Sequence, residues 1–217
     1  MAPESEVELR WGDEPVVRLR CTPGDVEDLA VGWLLAEGRI DRDTRVEAIR
    51  IDVVGMTVRI DTGPLALSEP DPRIPPVAKP AAAEFVEAFA VSDRLRSLYA
   101  EMFARGTLRE LTGGVHTGAL VVDGSVRAVR EDVSRHCVVD KLIGAAWRGG
   151  VVLNDSQILL TGRLSGAIAA KVARAGIPVV TTMSVPTTLA GSIAARAGVT
   201  LIGRARSSEP HVYRMGV

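Results

Sequence analysis

Gln157–Arg206 reads QILLTGRLSGAIAAKVARAGIPVVTTMSVPTTLAGSIAARAGVTLIGRAR. Short apolar runs alternate in it with helical ones. Gln157–Leu160, Val179–Thr182 and Thr200–Ile202 read as strands, apolar on both faces. Ser165–Ala175 and Thr187–Ala197 read as helices, each ending at a glycine, Gly176 or Gly198. Strands buried on both faces and interleaved with helices are the pattern of a largely parallel sheet covered by helices. The stretch therefore predicts an α/β chain, with Val212–Arg214 as a final strand.

Three loops in and just after this stretch follow strands. Arg163 and Ser165 lie in the first, Ser184 and Thr187 in the second, and Gly203, Arg204, Ala205, Arg206, Ser207 and Ser208 in the third. Ligands of open α/β sheets bind outside the carboxyl ends of strands. Hydroxyls before a helix cap it or hold a phosphate, and capping alone is enough to explain them. Guanidinium binds phosphate bidentately, which suits Arg204 and Arg206 to an anion. Three such loops on one edge would converge on a nucleotide or pterin-phosphate pocket.

Upstream, Thr112–Lys141 concentrates polar chemistry: TGGVHTGALVVDGSVRAVREDVSRHCVVDK. Thr112, Gly113 and Gly114 precede His116 at a strand start, as a backbone cradle or as a plain turn after a helix. A hairpin is expected around Asp123-Gly124. A helix follows from near Ser134 to Trp147, closed by Gly149-Gly150. On it His136 and Asp140 share a face, as do Cys137 and Lys141. His136 with Asp140 could act as a base and its orienter. Cys137, near a helix start with Lys141 one turn on, is a weak candidate nucleophile; its other reading is a small buried hydrophobe.

Val7–Arg10 and Pro15–Arg20 read as strands around Gly12–Glu14, and Arg45–Ile51 and Met56–Asp61 as a second pair. Between them a helix carries Val26, Leu29, Ala30, Trp33, Leu34 and Ala36 on one face, with Thr22 as its cap, Pro23 just inside and Gly38 at its end. Residues 68–80, SEPDPRIPPVAKP, hold five prolines and suit an exposed loop. Two helices follow, broken at Val91-Ser92-Asp93. The organisation is an N-terminal α+β part (1–67), a proline-rich loop (68–80) and an α/β core (81–217).

Composition excludes several classes. The net charge is -1 across 217 residues, which gives no general pull toward nucleic acid or membrane. Only two cysteines and three histidines are present, too few for a disulfide scaffold or a conventional zinc site. No apolar run reaches the length of a membrane span, and no secretory leader is recognisable. A reducing cytoplasm fits.

These segments resemble the FdhD family, the formate dehydrogenase accessory sulfurtransferases. The resemblance is carried by Thr22–Ile40, Thr112–Leu120, Glu131–Gly144, Leu160–Gly166 and Gly176–Arg206. It implies a cytidine-deaminase-like three-layer α/β/α core without zinc, and a homodimer. It implies that sulfur passes from a cysteine desulfurase to the molybdenum cofactor, in its bis-guanine-dinucleotide form, before insertion into formate dehydrogenase. It places the guanine nucleotide near Gly203–Glu209, where GDP would serve as a ligand in vitro. One departure bears on activity. The family carries a Cys-Gly-x-Cys-Gly-like loop before the long helices, and residues 68–80 here contain no cysteine. Cys137 and Ser134 stand where the family motif has Asn and Gly.

Overall fold

The computed structural model describes residues 1–41, 50–61, 68, 74–78, 81, 86 and 89–213. Its larger sheet has six strands: β5 (His116–Val122), β6 (Ser125–Asp132), β7 (Ser156–Leu160), β8 (Val179–Thr182), β9 (Thr200–Gly203) and β10 (His211–Tyr213), in spatial order β10-β9-β8-β7-β5-β6. Only β7, β8 and β9 run parallel. β5 is antiparallel to both β6 and β7, and β10 is antiparallel to β9. The sheet is therefore mixed, not largely parallel. The reasons are local: Asp123 and Gly124, at φ 50 and 68, fold β5 onto β6 through a two-residue turn. The connection from β9 to β10 is too short for a crossover.

Alternate residues of these strands enter opposite cores. Leu120, Ile158, Leu160, Val180 and Leu201 pack with α4 (Arg135–Arg148), α5 (Gly166–Arg174) and α6 (Thr188–Ala197). Ala119, Val121, Leu159, Val179 and Ile202 pack under Leu95, Leu98, Tyr99 and Met102 of α2 (Asp93–Arg105). That makes three layers, helix on sheet on helix.

The smaller sheet orders β2-β1-β4-β3, from β1 (Ser5–Trp11), β2 (Glu14–Cys21), β3 (Arg50–Val54) and β4 (Thr57–Asp61). Its apolar face, with Val7, Leu9, Val58 and Ile60, shares one core with α1 (Val26–Ala36) and α4. The two helices meet backbone to backbone. A Cβ on Gly32 would lie 1.7 Å from the Asp140 carbonyl oxygen, and one on Gly144 would lie 1.9 Å from that of Asp28. Glycine at both positions is what allows the contact.

α1 starts three residues later than expected. Its N-cap is Asp25, in the left-handed region and without a side-chain cap. Thr22 is instead committed elsewhere: its amide donates to Asp132 and its hydroxyl accepts from the Val133 amide. Trp33 packs half-buried against the core. A short helix, α3 (Thr107–Thr112), was not expected. Of the proline-rich segment, Ser68 and 74–78 are described. They form no strand or helix, but Val77 is buried and its amide donates to the Ala197 carbonyl at 2.7 Å, so the segment is docked there and not wholly exposed. Most of the expected helix before Val91, the start of the Arg45–Ile51 strand and Arg214 lie outside the described residues.

Candidate functional site

The carboxyl ends of β7, β8 and β9 and the amino end of β5 share one edge of the large sheet. The loops leaving them are tied side by side by backbone bonds: Leu164 N to Val185 O at 3.3 Å, Thr187 N to Leu164 O at 2.9 Å, and Arg204 N to Ser184 O at 2.7 Å. One residue, missed by the sequence reading, links all three. The buried Thr182 hydroxyl donates to Gly162 O at 2.5 Å and accepts from Ser184 N at 3.0 Å. Its own carbonyl accepts from Ala205 N at 2.9 Å. A threonine at a strand end carries no sequence signal for such a role, because its partners come from three different loops.

Helices α4, α5 and α6 all begin at this edge, capped by Ser134, Ser165 and Thr187 through bonds to the amides of Cys137, Ile168 and Ala190. Three positive helix ends converge there. Ser165 and Thr187 are thus caps, and Ser165 also meets His136 Nε2 at 3.2 Å. Arg163, Arg204, Arg206 and Ser208 are exposed, and Ser184 and Ser207 half-buried. Arg204 sits at φ 54, a strained conformation for a non-glycine residue, and turns the chain out of β9. Gly203 has no room for a side chain, since a Cβ would lie 2.7 Å from the Tyr213 ring. Ala205 is buried. Arg206 stacks over the Phe103 ring at 5.4 Å, and Arg109 does so at 5.7 Å.

His116 opens β5, half-buried beside Gly162 and Arg135. Burial, then Arg135 and Arg109, hold its imidazole below the usual range. His136 is lowered by burial, Arg135 and Lys171. Among the described residues, the buried Arg135 Nε has no hydrogen-bond partner. Thr112, Gly113 and Gly114 form the capped end of α3: Gly113, at φ 65, donates to Arg109 O, and Thr112 Oγ1 bonds Leu108 O and Gly114 N. The turn reading accounts for them.

Two expected members do not join the edge. Asp140 is buried and held by Lys171 Nζ at 2.8 and 3.0 Å, with Glu37 on the same ammonium at 2.7 Å. It orients no imidazole; the packing of α5 on α4 gives it a different partner. Burial pushes its carboxyl up to about 6 against the pull of Lys171. Lys141, fully buried, pairs with Asp132 at 2.7 Å and donates to Thr22 O at 2.9 Å. Neither presents a charge to a ligand.

Lys141 does not activate Cys137 either. The thiol is buried against the Arg20 carbonyl, and burial followed by the Asp132 charge pushes it up to about 12. Burial raises Cys21 to about 11. Both are free thiols in apolar surroundings, as the bland reading of Cys137 had it. Among the described residues no group of three potential ligands is arranged for a metal, and no helix is long and apolar enough to cross a membrane.

Comparison with known proteins adds to this geometry. The family described as FdhD/NarQ matches residues 2–216. The sulfur carrier protein FdhD of Xanthomonas campestris pv. campestris (strain 8004) is 35% identical over 98% of this chain and 83% of its own length. The protein of the same name from Mycobacterium bovis is 32% identical over 98% of this chain and 89% of its own. A crystal structure described as that of a formate dehydrogenase accessory protein from Desulfotalea psychrophila superposes with a TM-score of 0.81 at 27% identity, covering 98% of this chain and 87% of that one. The alignment with the Xanthomonas relative runs over 239 positions, against 217 residues in this chain, so that relative carries at least 22 residues absent here.

Proposed function

Because this chain belongs to the FdhD/NarQ family, we propose that it serves formate dehydrogenase maturation by holding the bis-guanine-dinucleotide form of the molybdenum cofactor as cargo along the carboxyl edge of the large sheet. The observation that carries this reading is the convergence of three helix N-termini with Arg163, Arg204 and Arg206, none of them ion-paired among the described residues. Pyrophosphate is the kind of group such an edge suits. The loop after β9 offers the exposed side chains of Arg204, Arg206 and Ser208 to a guanine nucleotide. One chain supplies one such loop and the cargo has two nucleotide arms, which favours a homodimer. A cysteine desulfurase as sulfur source and formate dehydrogenase as recipient complete the reading.

A second reading concerns the sulfur step, and the cysteines favour it. A persulfide forms on a thiolate. Both thiols here are buried and raised, to about 11 and 12. Residues 68–80 supply no other. The chain then holds and presents the cofactor, while the sulfur-bearing cysteine belongs to another protein.

GDP calorimetry tests the pocket, with one site per chain expected. Arg204→Ala/Arg206→Ala should weaken binding at least tenfold; unchanged affinity refutes the placement. Incubation with a desulfurase and labelled cysteine tests the second reading, which predicts no label on this chain. Label lost in Cys21→Ser or Cys137→Ser would restore direct sulfur carriage.

A further inference from the structure

The edge has a second cationic cluster, toward β5, whose Arg109 stacks on the same Phe103 ring as Arg206 of the Arg204–Ser208 loop. His116 lies at its centre. Around the ring are Arg109 from α3, Arg135 and His136 from α4, Asp132 from β6, and the backbone of Gly162 from the loop after β7. Asp132 is the carboxylate directly opposite His116 in the β5–β6 ladder, and it is already paired with Lys141 at 2.7 Å. Its neighbour Glu131 is occupied by the Leu108 and Arg109 amides and the Thr117 hydroxyl. The local balance is therefore positive.

The cluster also has hydrogen-bonding capacity that the described residues do not use. A Cβ on Gly162 would lie 3.2 Å from His116 Nδ1 and 3.3 Å from Arg135 Cβ, so glycine lets this backbone pass close against both ring and helix. Arg135 Nε beside it has no partner among the described residues. Among the described residues the His116 imidazole makes no hydrogen bond. Arg109 is fixed from behind, by its bond to Val115 O at 3.0 Å and by the Phe103 ring.

We propose that His116, Arg109 and Arg135 form a proton-linked subsite for a dianionic tetrahedral oxyanion, next to the Arg204–Ser208 loop. Empty, the site disfavours a proton on His116, first because the ring is half-buried and then because Arg135 and Arg109 are near it. A dianion reverses that field and the imidazole takes up a proton, becoming a third donor to it. Binding there strengthens as pH falls, by up to tenfold per unit for one linked proton. The oxyanion is a phosphate group of the bound cargo or a free inorganic ion. This deepens the cargo reading of the edge but rests on it only for the ligand's source.

The test is NMR titration of the histidine ring protons in the full chain. His116 is assigned against His136→Gln and His211→Gln. The probe is sodium sulfate, which does not titrate between pH 5 and 8, compared with sodium chloride at equal ionic strength. His116 should titrate about one unit higher in saturating sulfate than in chloride. Arg135→Ala should raise the resting value, by removing a repelling cation, and shrink the sulfate response. Those opposite signs are not expected of a merely structural arginine.

GDP forms the second arm. A response to GDP at concentrations where sulfate gives none assigns the oxyanion to the nucleotide cargo; a response to both assigns a general oxyanion site. If neither moves His116 more than chloride does, the subsite is refuted. Retained GDP binding in that case leaves the nucleotide reading standing. Loss of GDP binding with the sulfate response intact refutes only the nucleotide reading.

Discussion

Lys141→Met should destabilise the protein by about 4 kcal/mol at pH 7, and by much less at pH 5. The lysine is fully buried and its ammonium is the cation paired with Asp132, itself fully buried, at 2.7 Å. Methionine fills similar volume, so cavity terms are small. What remains is a carboxylate with two amide donors, Thr22 N at 3.1 Å and Ser134 N at 2.8 Å, and no counter-charge. Breaking a buried pair on one side costs about 3–5 kcal/mol. Protonation caps the loss, since neutralising an ordinary carboxyl at pH 7 costs about 4 kcal/mol.

The sign with pH follows from linkage. In wild type burial already raises Asp132, and Lys141 is the main force pulling it back. Without Lys141 the folded carboxyl titrates well above its unfolded value. The folded state then binds more protons than the unfolded one in that window, and stability falls as pH rises, by up to about 1.4 kcal/mol per unit. The penalty should shrink to about 1–2 kcal/mol at pH 5. Urea unfolding followed by circular dichroism at both pH values measures it. Adding Asp132→Asn to Lys141→Met should recover at least half of the loss at pH 7. A penalty below about 1 kcal/mol at pH 7, or equal penalties at the two pH values, refutes the argument.

Three further outcomes are expected. Gly32→Ala forces α1 off α4, because its Cβ would lie 1.7 Å from the Asp140 carbonyl oxygen; a loss of about 3 kcal/mol in urea unfolding is expected, and a thermally unchanged variant would contradict the crossing. Thr182→Val leaves Gly162 O and Ser184 N without their shared partner, so it should cost about 2 kcal/mol and weaken GDP binding, while Thr182→Ser restores both. Cys21 and Cys137 should resist a thiol-reactive disulfide reagent at pH 8 in the native protein and both react once it is unfolded in urea; rapid native reaction of either would restore a thiol to the chemistry.

What the sequence made legible was local. Ser92, Ser134, Ser165 and Thr187 bond amides three residues on, so each cap is written within one turn. Asp123-Gly124 is equally local. Helical spacing correctly placed His136 and Asp140 on one face, but spacing does not choose partners. Asp140 found Lys171, 31 residues away on α5, and His136 found Ser165, 29 away. Thr22 has the side chain of a cap, yet its partners, Asp132 and Val133, lie 110 and 111 residues away. α3 has six residues, too short for a period to declare itself. Arg109 and Thr182 enter the site from a segment and a strand end that look ordinary, because the topology alone brings them to the edge.

Asp132 explains why the site needs a buried charge at all. It closes β6 directly opposite His116, and its oxygens hold the amides of Thr22 and Ser134 and the ammonium of Lys141. One carboxylate thus fixes the exit of β2, the cap of α4 and the strand end beside the imidazole. An apolar pair of the same volume could be as stable or more so, but it would not aim backbone amides from the small sheet and from α4 at a common point. Placed there, the pair also keeps a negative charge next to His116 neutralised, so that Arg109 and Arg135 set the field at the ring. The small sheet is in this way joined to the ligand edge through a hydrogen-bonded ion pair. Asp132→Asn should therefore disturb His116 in the NMR titration as well as the stability of the fold, whereas Gly32→Ala, acting on the same helix from the other side, should lower stability while leaving His116 titrating as in wild type.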